Sequence, residues 1–160
     1  MGQETLLGGL GNDTLNATGL LANLNGGEDN DNLFANAQLN FGGGTYYVQE
    51  GVANLQGGTG DDSLTETYYT TATLDGGDGN DYLNAAAGDD YYLNHGTQYM
   101  TVTIQGGLGN DSLTSSNYAT SFLVGGDGND NLSSSGNDKS WDQWYYSDAS
   151  NYSVHSGIPL

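Results

Sequence analysis

Three regularities in this chain point to an all-β fold, a right-handed solenoid of short parallel strands. First, one phrase of two glycines, three residues, an aspartate, one residue and a leucine recurs six times. The copies are Gly8-Gly9-Leu10-Gly11-Asn12-Asp13-Thr14-Leu15, then Gly26 to Leu33, Gly57 to Leu64, Gly76 to Leu83, Gly106 to Leu113 and Gly125 to Leu132. Second, large aliphatic residues stand at positions 6, 15, 24, 33, 55, 64, 74, 83, 104, 113, 123, 132 and 154, in steps of nine or ten broken by steps of 21 or 22. Third, Gly8, Gly57 and Gly106 are each 49 residues apart, so the phrases sit on a longer period.

A helix would repeat apolar residues every three or four positions, and an ordinary strand every two. A step of nine instead fits a three-residue strand, a six-residue turn and one inward side chain per strand. Two steps complete a coil, giving a parallel β-roll or β-helix with a row of leucines between two narrow sheets. About six coils follow, alternating short (18–19 residues) and long (30–31 residues). The short coils run 8–25, 57–75 and 106–124; the long ones run 26–56, 76–105 and 125 to about 155. Every glycine pair then falls on one edge and every expansion on the other, where the expansions share Tyr46-Tyr47, Tyr91-Tyr92 and Tyr145-Tyr146. Ala85 to Asp90 and Ser134 to Asp138 read as weaker turns on that far edge. Residues 1–135 form the roll, and 136–160 an aromatic-rich last coil, cap or subunit-contact tail.

The turn residues have a chemical logic. Glycine adopts φ > 0 without steric cost and lets peptide carbonyls turn inward. Asp13, Asp31, Asp62, Asp81, Asp111 and Asp130 hold the sixth position of each phrase. Asn12, Asn30, Asp61, Asn80, Asn110 and Asn129 precede them, residue types that tolerate left-handed backbone and hydrogen-bond turns locally. Only the second copy breaks the glycine pattern, with Asp29 at its fourth position.

These phrases resemble the calcium-binding nonapeptide GGxGxDxUx of RTX proteins, a β-helix repeat in which U is a large apolar residue. The resemblance implies Ca²⁺ held between successive turns of one edge, about five ions for six stacked loops. Calcium takes six to eight oxygen ligands. The six phrase aspartates, the carbonyls of Gly8, Gly26, Gly57, Gly76, Gly106 and Gly125, and the neighbouring Asn12, Asp61, Asn80, Asn110 and Asn129 are the candidate ligands. Asp78 and Asp127 at the third position are further candidates, with Glu28 in the loop that lacks its glycine. Ordinary β-turn chemistry without metal explains any single copy. It fails for the set on charge, because twenty acidic residues face one basic residue, Lys139, for a net charge of −19. Stacking aspartate above aspartate without cations is strongly repulsive.

So thin and anionic a core predicts a disordered or molten chain without calcium, with ion binding acting as folding energy. Cysteine is absent, so no disulfide framework exists. The opening Met1-Gly2-Gln3-Glu4 is not a cleavable signal, and no stretch is long enough to span a bilayer. The resemblance implies type I secretion to the cell surface or surroundings. The net charge repels nucleic acid. No nucleophile elbow, zinc helix or phosphate loop occurs, and His95 and His155 read as surface residues. Thr71, Thr73, Thr101 and Thr103 suggest an ice-binding face, but the pairs do not recur in every coil. Tyr and Trp of the tail are expected to pack the far edge, with a subunit contact or sugar-stacking face as the functional alternative.

The tail segment Tyr152 to Gly157 echoes Ala53 to Gly58, as though another coil were starting. Head-to-tail stacking into a homopolymer is therefore expected, since heterologous contacts that do not close give open filaments. The functional expectation is a non-enzymatic, calcium-binding extracellular structural protein in a fibre, surface layer or matrix, or an adhesin for a surface glycan or matrix protein. Alternatives are a virion surface or fibre protein, or the calcium-binding module of a larger secreted enzyme.

Overall fold

A computed structural model of the chain describes residues 2–37, 51–87, 100–118, 120–135 and 143–145. Among these, every regular element is a strand. In chain order they are β1 (Gln3–Leu10), β2 (Thr14–Ala17), β3 (Leu21–Glu28), β4 (Asn32–Asn36), β5 (Val52–Thr59), β6 (Ser63–Thr67), β7 (Thr71–Asp78), β8 (Tyr82–Ala86), β9 (Thr101–Leu108), β10 (Ser112–Ser116), β11 (Thr120–Asp127), β12 (Asn131–Ser135) and β13 (Gln143–Tyr145).

Odd and even strands separate into two parallel sheets. One has the order β1-β3-β5-β7-β9-β11-β13 and the other β2-β4-β6-β8-β10-β12. Each strand therefore pairs with the strand one coil away, as a solenoid requires. Register follows the aliphatic series: Leu6, Leu24, Leu55, Leu74, Ile104 and Leu123 stand side by side in one sheet. Leu15, Leu33, Leu64, Leu83, Leu113 and Leu132 do so in the other. The two rows meet as the core, closed to solvent from Leu24 to Leu113 and only partly buried at Leu6 and Leu15. The successive coils measure 18, 31, 19, 30 and 19 residues by the spacing of their aspartates, the alternation read from the sequence.

The strands are longer than the expected three residues. The odd ones span eight from β1 to β11, and the even ones five from β4 to β12. Side chains alternate across a strand, so each contributes several inward positions rather than one. In β7 these are Ala72, Leu74 and Gly76; in β8 they are Leu83 and Ala85. Small inward residues keep the two sheets close beside the leucine rows.

The last coil also returns early. Gln143, Trp144 and Tyr145 pair with Thr120, Ser121 and Phe122, short of the expected return near Val154. Of the expected far-edge turns, Ala85-Ala86 and Ser134-Ser135 are instead strand residues of β8 and β12. The rest of those turns, 88–90 and 136–138, lies outside the described residues, as do Val154, His95, His155, Tyr46-Tyr47, Tyr91-Tyr92 and Tyr146. The threonine pairs do meet, Thr71 beside Thr101 and Thr73 beside Thr103. Their neighbours on the same face are Val52 and Asn54 on one side and Thr120 and Phe122 on the other, so the array stays two to three strands wide.

Candidate metal-binding edge

Each glycine phrase runs from the end of an odd strand, which holds the glycine pair, through a short turn into the next even strand, all on one edge. Within each turn the second glycine has a positive φ, for example 119° at Gly58. The first glycine answers to space rather than to φ. A Cβ on Gly57 would overlap the Asp62 carboxylate and come within 2.5 Å of the Gly76 carbonyl oxygen of the next coil. The same collision recurs at Gly8, Gly26, Gly76, Gly106 and Gly125. Carboxylate and first glycine are thus pressed together in every turn, and in four turns the next coil's carbonyl joins them.

The six aspartates stack as an inner ladder. The backbone N–H of Asp13 donates to Asp31 Oδ1 at 2.8 Å, Asp31 to Asp62 at 2.7 Å, Asp62 to Asp81 at 2.8 Å, Asp81 to Asp111 at 2.8 Å, and Asp111 to Asp130 at 3.0 Å. One oxygen of each carboxylate from Asp31 to Asp130 is so engaged. The other, Oδ2, is buried without a hydrogen-bond partner in all six aspartates, Asp13 included. A buried polar atom left unpaired costs free energy and demands an explanation. Six equivalent orphans in one row, each beside the first glycine of its turn, are the kind of oxygen donor that a hard cation would satisfy.

Electrostatics tells the same story. Burial pushes the Asp81 carboxyl up to about 7, reinforced by the facing carboxylates of Asp111, Asp62 and Asp61. Burial likewise raises Asp62 and Asp111. These three carboxylates resist ionisation when bare, and divalent cations beside them would hold them ionised.

The residues before the aspartates form a second, exposed ladder that runs the opposite way. Asn30 N–H donates to Asn12 Oδ1 at 3.1 Å, Asp61 to Asn30 at 2.9 Å, Asn80 to Asp61 at 2.7 Å, Asn110 to Asn80 at 3.0 Å, and Asn129 to Asn110 at 3.0 Å. The Asn80 backbone and amide N–H groups together hold the Asp61 carboxyl below its usual range. The side-chain oxygens of this column, from Asn12 to Asn110, thus face backbone amides of the next coil. Glu28, Asp78 and Asp127 stand in one exposed column with Leu10, Thr59 and Leu108. Among the described residues no three His, Cys, Asp or Glu side chains converge on one point. Each site would therefore join carboxylates of adjacent coils to main-chain oxygens.

Asp29 departs from the pattern in a readable way. Its φ of 75° lies near the left-handed helical region, which Asp tolerates, whereas the fourth-position glycines range from 92° at Gly11 to 144° at Gly79. Its carboxylate takes the Gly11 N–H at 3.1 Å. In later coils the fourth-position N–H goes instead to a main-chain oxygen, as from Gly60 to Asp78 at 2.7 Å.

A family model of the RTX calcium-binding nonapeptide repeat (four copies) matches residues 1–19, 23–41, 49–65, 73–93 and 103–117. The chain belongs to the RTX calcium-binding repeat family. No curated protein and no solved structure gives a match. As an RTX repeat protein it is a calcium-binding β-roll, and the orphaned Oδ2 row is the candidate place on this chain for that binding.

One buried carboxylate lies off this edge and was not singled out from the sequence. Glu66 is fully buried in the core column Ala17, Ala35, Glu66, Ala85, Ser115 and Ser134. It accepts the Tyr69 N–H at 2.9 Å and the Tyr118 hydroxyl. The available signal was its place two residues after Leu64, where neighbouring coils carry alanine.

Proposed function

We propose that this RTX roll is a non-enzymatic structural protein that folds on calcium outside the cell. The observation that carries this reading is the row of six buried, partnerless Oδ2 atoms. About five Ca²⁺ between the six turns would satisfy them and offset much of the net charge of −19. Calcium is scarce in cytoplasm and plentiful outside cells, so such a chain stays unfolded until exported. RTX repeats are typical of secreted proteins, which supports type I secretion and a surface, matrix or adhesive role. The test is a calcium titration followed by circular dichroism, with bound calcium counted at saturation. A coil-to-β transition with about five ions supports the reading. Full β structure in chelator would overturn it.

A second observation favours self-assembly. Leu6 and Leu15, the first members of the two core rows, are only partly buried, whereas their counterparts one coil on are closed. A second copy stacked end-on, long coil against short, would cover them and continue the alternation. Filaments in negative stain with calcium support this arrangement. Monodisperse monomer at high concentration would instead favour an adhesin or a module of a larger secreted enzyme, and a gene neighbourhood of capsid proteins would favour a virion fibre.

A further inference from the structure

Asn25 is followed directly by Gly26, the one Asn-Gly step in the sequence. In such a step the glycine nitrogen, with no side chain to hinder it, can attack the asparagine carboxamide. The Gly26 N–Cγ bond forms, the Asn25 Cγ–Nδ2 bond breaks, and Nδ2 leaves as ammonia with the proton given up by Gly26. Water then opens the cyclic imide at either carbonyl, giving aspartate or isoaspartate at position 25.

The fold holds this step closed. Asn25 lies within β3, with Leu7 of β1 on one side and Gln56 of β5 on the other. Closure of the five-membered ring needs rotation about the Asn25 Cα–C bond, which strand pairing on both sides forbids. The carboxamide is also engaged, Nδ2 donating to Gln56 Oε1 at 3.0 Å. Gly26 is pressed so closely on Asp31 that a Cβ would collide with the carboxylate. The equivalent positions in other coils are Leu7, Gln56, Asp75, Gln105 and Val124, none of them asparagine.

We propose that Asn25 is a self-modification site, shut in the folded roll and opened by unfolding, that makes loss of calcium progressively irreversible. The link to calcium rests on the reading that calcium drives folding. The two products differ in consequence. Aspartate at 25 reproduces the Asp75-Gly76 pair of a later coil. Isoaspartate routes the main chain through the side chain and adds a methylene immediately before Gly26. That displaces Gly26 from Asp31 and spoils the turn where an ion would sit.

The test incubates the full chain in calcium, in chelator and in urea, followed by peptide mapping that resolves aspartate from isoaspartate. Conversion confined to the Asn25 peptide, and about tenfold or more faster in urea than in the calcium form, is expected, because reaction tracks the open population. Asn25→Gln should abolish it. Chain aged in chelator should lose its calcium-induced dichroism in step with isoaspartate content, while Asn25→Gln aged alike recovers. Equal rates in native and urea samples would overturn the proposal, as would full recovery of aged wild type. Should chelator leave both dichroism and rate unchanged, calcium-driven folding fails, while the urea comparison still decides whether the fold protects Asn25.

Discussion

Tyr118 donates its hydroxyl to Glu66 at 2.5 Å, spanning 52 residues and an entire intervening long coil. Tyr69, at the matching place in the previous short coil, reaches back in the same way, its hydroxyl donating to the Gly19 carbonyl at 2.7 Å over 50 residues. Both rings are fully buried. Each of these short-coil tyrosines thus ties its own coil to the short coil one superrepeat before it.

Glu66 therefore gives the far edge its own pH dependence. Burial pushes its carboxyl up to about 7, against an ordinary value near 4.5. A raised folded value means folding takes up a proton. The stability it contributes is complete below about pH 4.5 and is lost as pH rises through about 7, a swing of about 3 kcal/mol. Urea midpoints in calcium, taken from about pH 5 to about pH 8 for wild type and Glu66→Gln, isolate this term. The difference between the two should change across that window; a constant difference would mean that Glu66 stays charged.

The inner ladder should show acid-induced structure when calcium is withheld. The Asp81 carboxyl is raised to about 7, and Asp62 and Asp111 are raised with it. The sign is the same as for Glu66: protonation favours the fold below these values, and the gain disappears as pH rises through them. In chelator, dichroism should become more β-like as pH falls from about 8 toward 5. The effect of added calcium should shrink over the same range, because protons compete for the same oxygens.

Substitutions in the two ladders should separate ligands from scaffolding. Asp81→Asn keeps an acceptor for the Asp62 N–H but removes the charge beside the orphaned Oδ2. It should lower the bound-calcium count by one or two while leaving the calcium-saturated fold intact. Asn80→Ala removes an acceptor on the exposed ladder. It should cost about 1 kcal/mol or less in stability and leave the ion count unchanged. Calcium stoichiometry by elemental analysis checks both.

Glycine substitutions offer a steric check. Gly57→Ala should cost about 2 kcal/mol or more, since overpacking alone costs 1–3 kcal/mol, and should weaken calcium binding through the displaced Asp62. At Gly9 a Cβ meets nothing within 4 Å, and only the φ of 114° is unfavourable. Gly9→Ala should therefore cost about 1–2 kcal/mol from backbone strain without changing the ion count. Denaturation in calcium, with and without excess ion, distinguishes the two.

Much of this architecture is legible from residue spacing alone, because a solenoid converts sequence interval directly into spatial neighbourhood. The leucine series, the one-sided glycine phrases and the aspartate column all emerge at the expected register. Strand length is less legible because the additional inward positions hold mostly Ala, Gly and Ser, with Val102 and Glu66 as exceptions, so they carry little periodic apolar signal. Glu66 escaped for the same reason, since Thr65-Glu66-Thr67 reads as a solvated strand until the alanine column beside it is recognised. The tyrosine ties were hidden by the eye-catching Tyr-Tyr pairs. Tyr69 and Tyr118 are separated by one superrepeat, and that interval was the available clue.

The alternation of coil lengths carries a consequence for descent. The first short and long coils measure 18 and 31 residues and the next pair 19 and 30, so a residue gained in one member is lost in the other. A single inserted residue in a glycine turn would throw its aspartate out of the column, and selection would remove it. At the opposite edge the same insertion falls where coil length already varies. Related genes should thus differ by whole duplicated or deleted coil pairs and by ragged far-edge loops, with the turns themselves held to a fixed count.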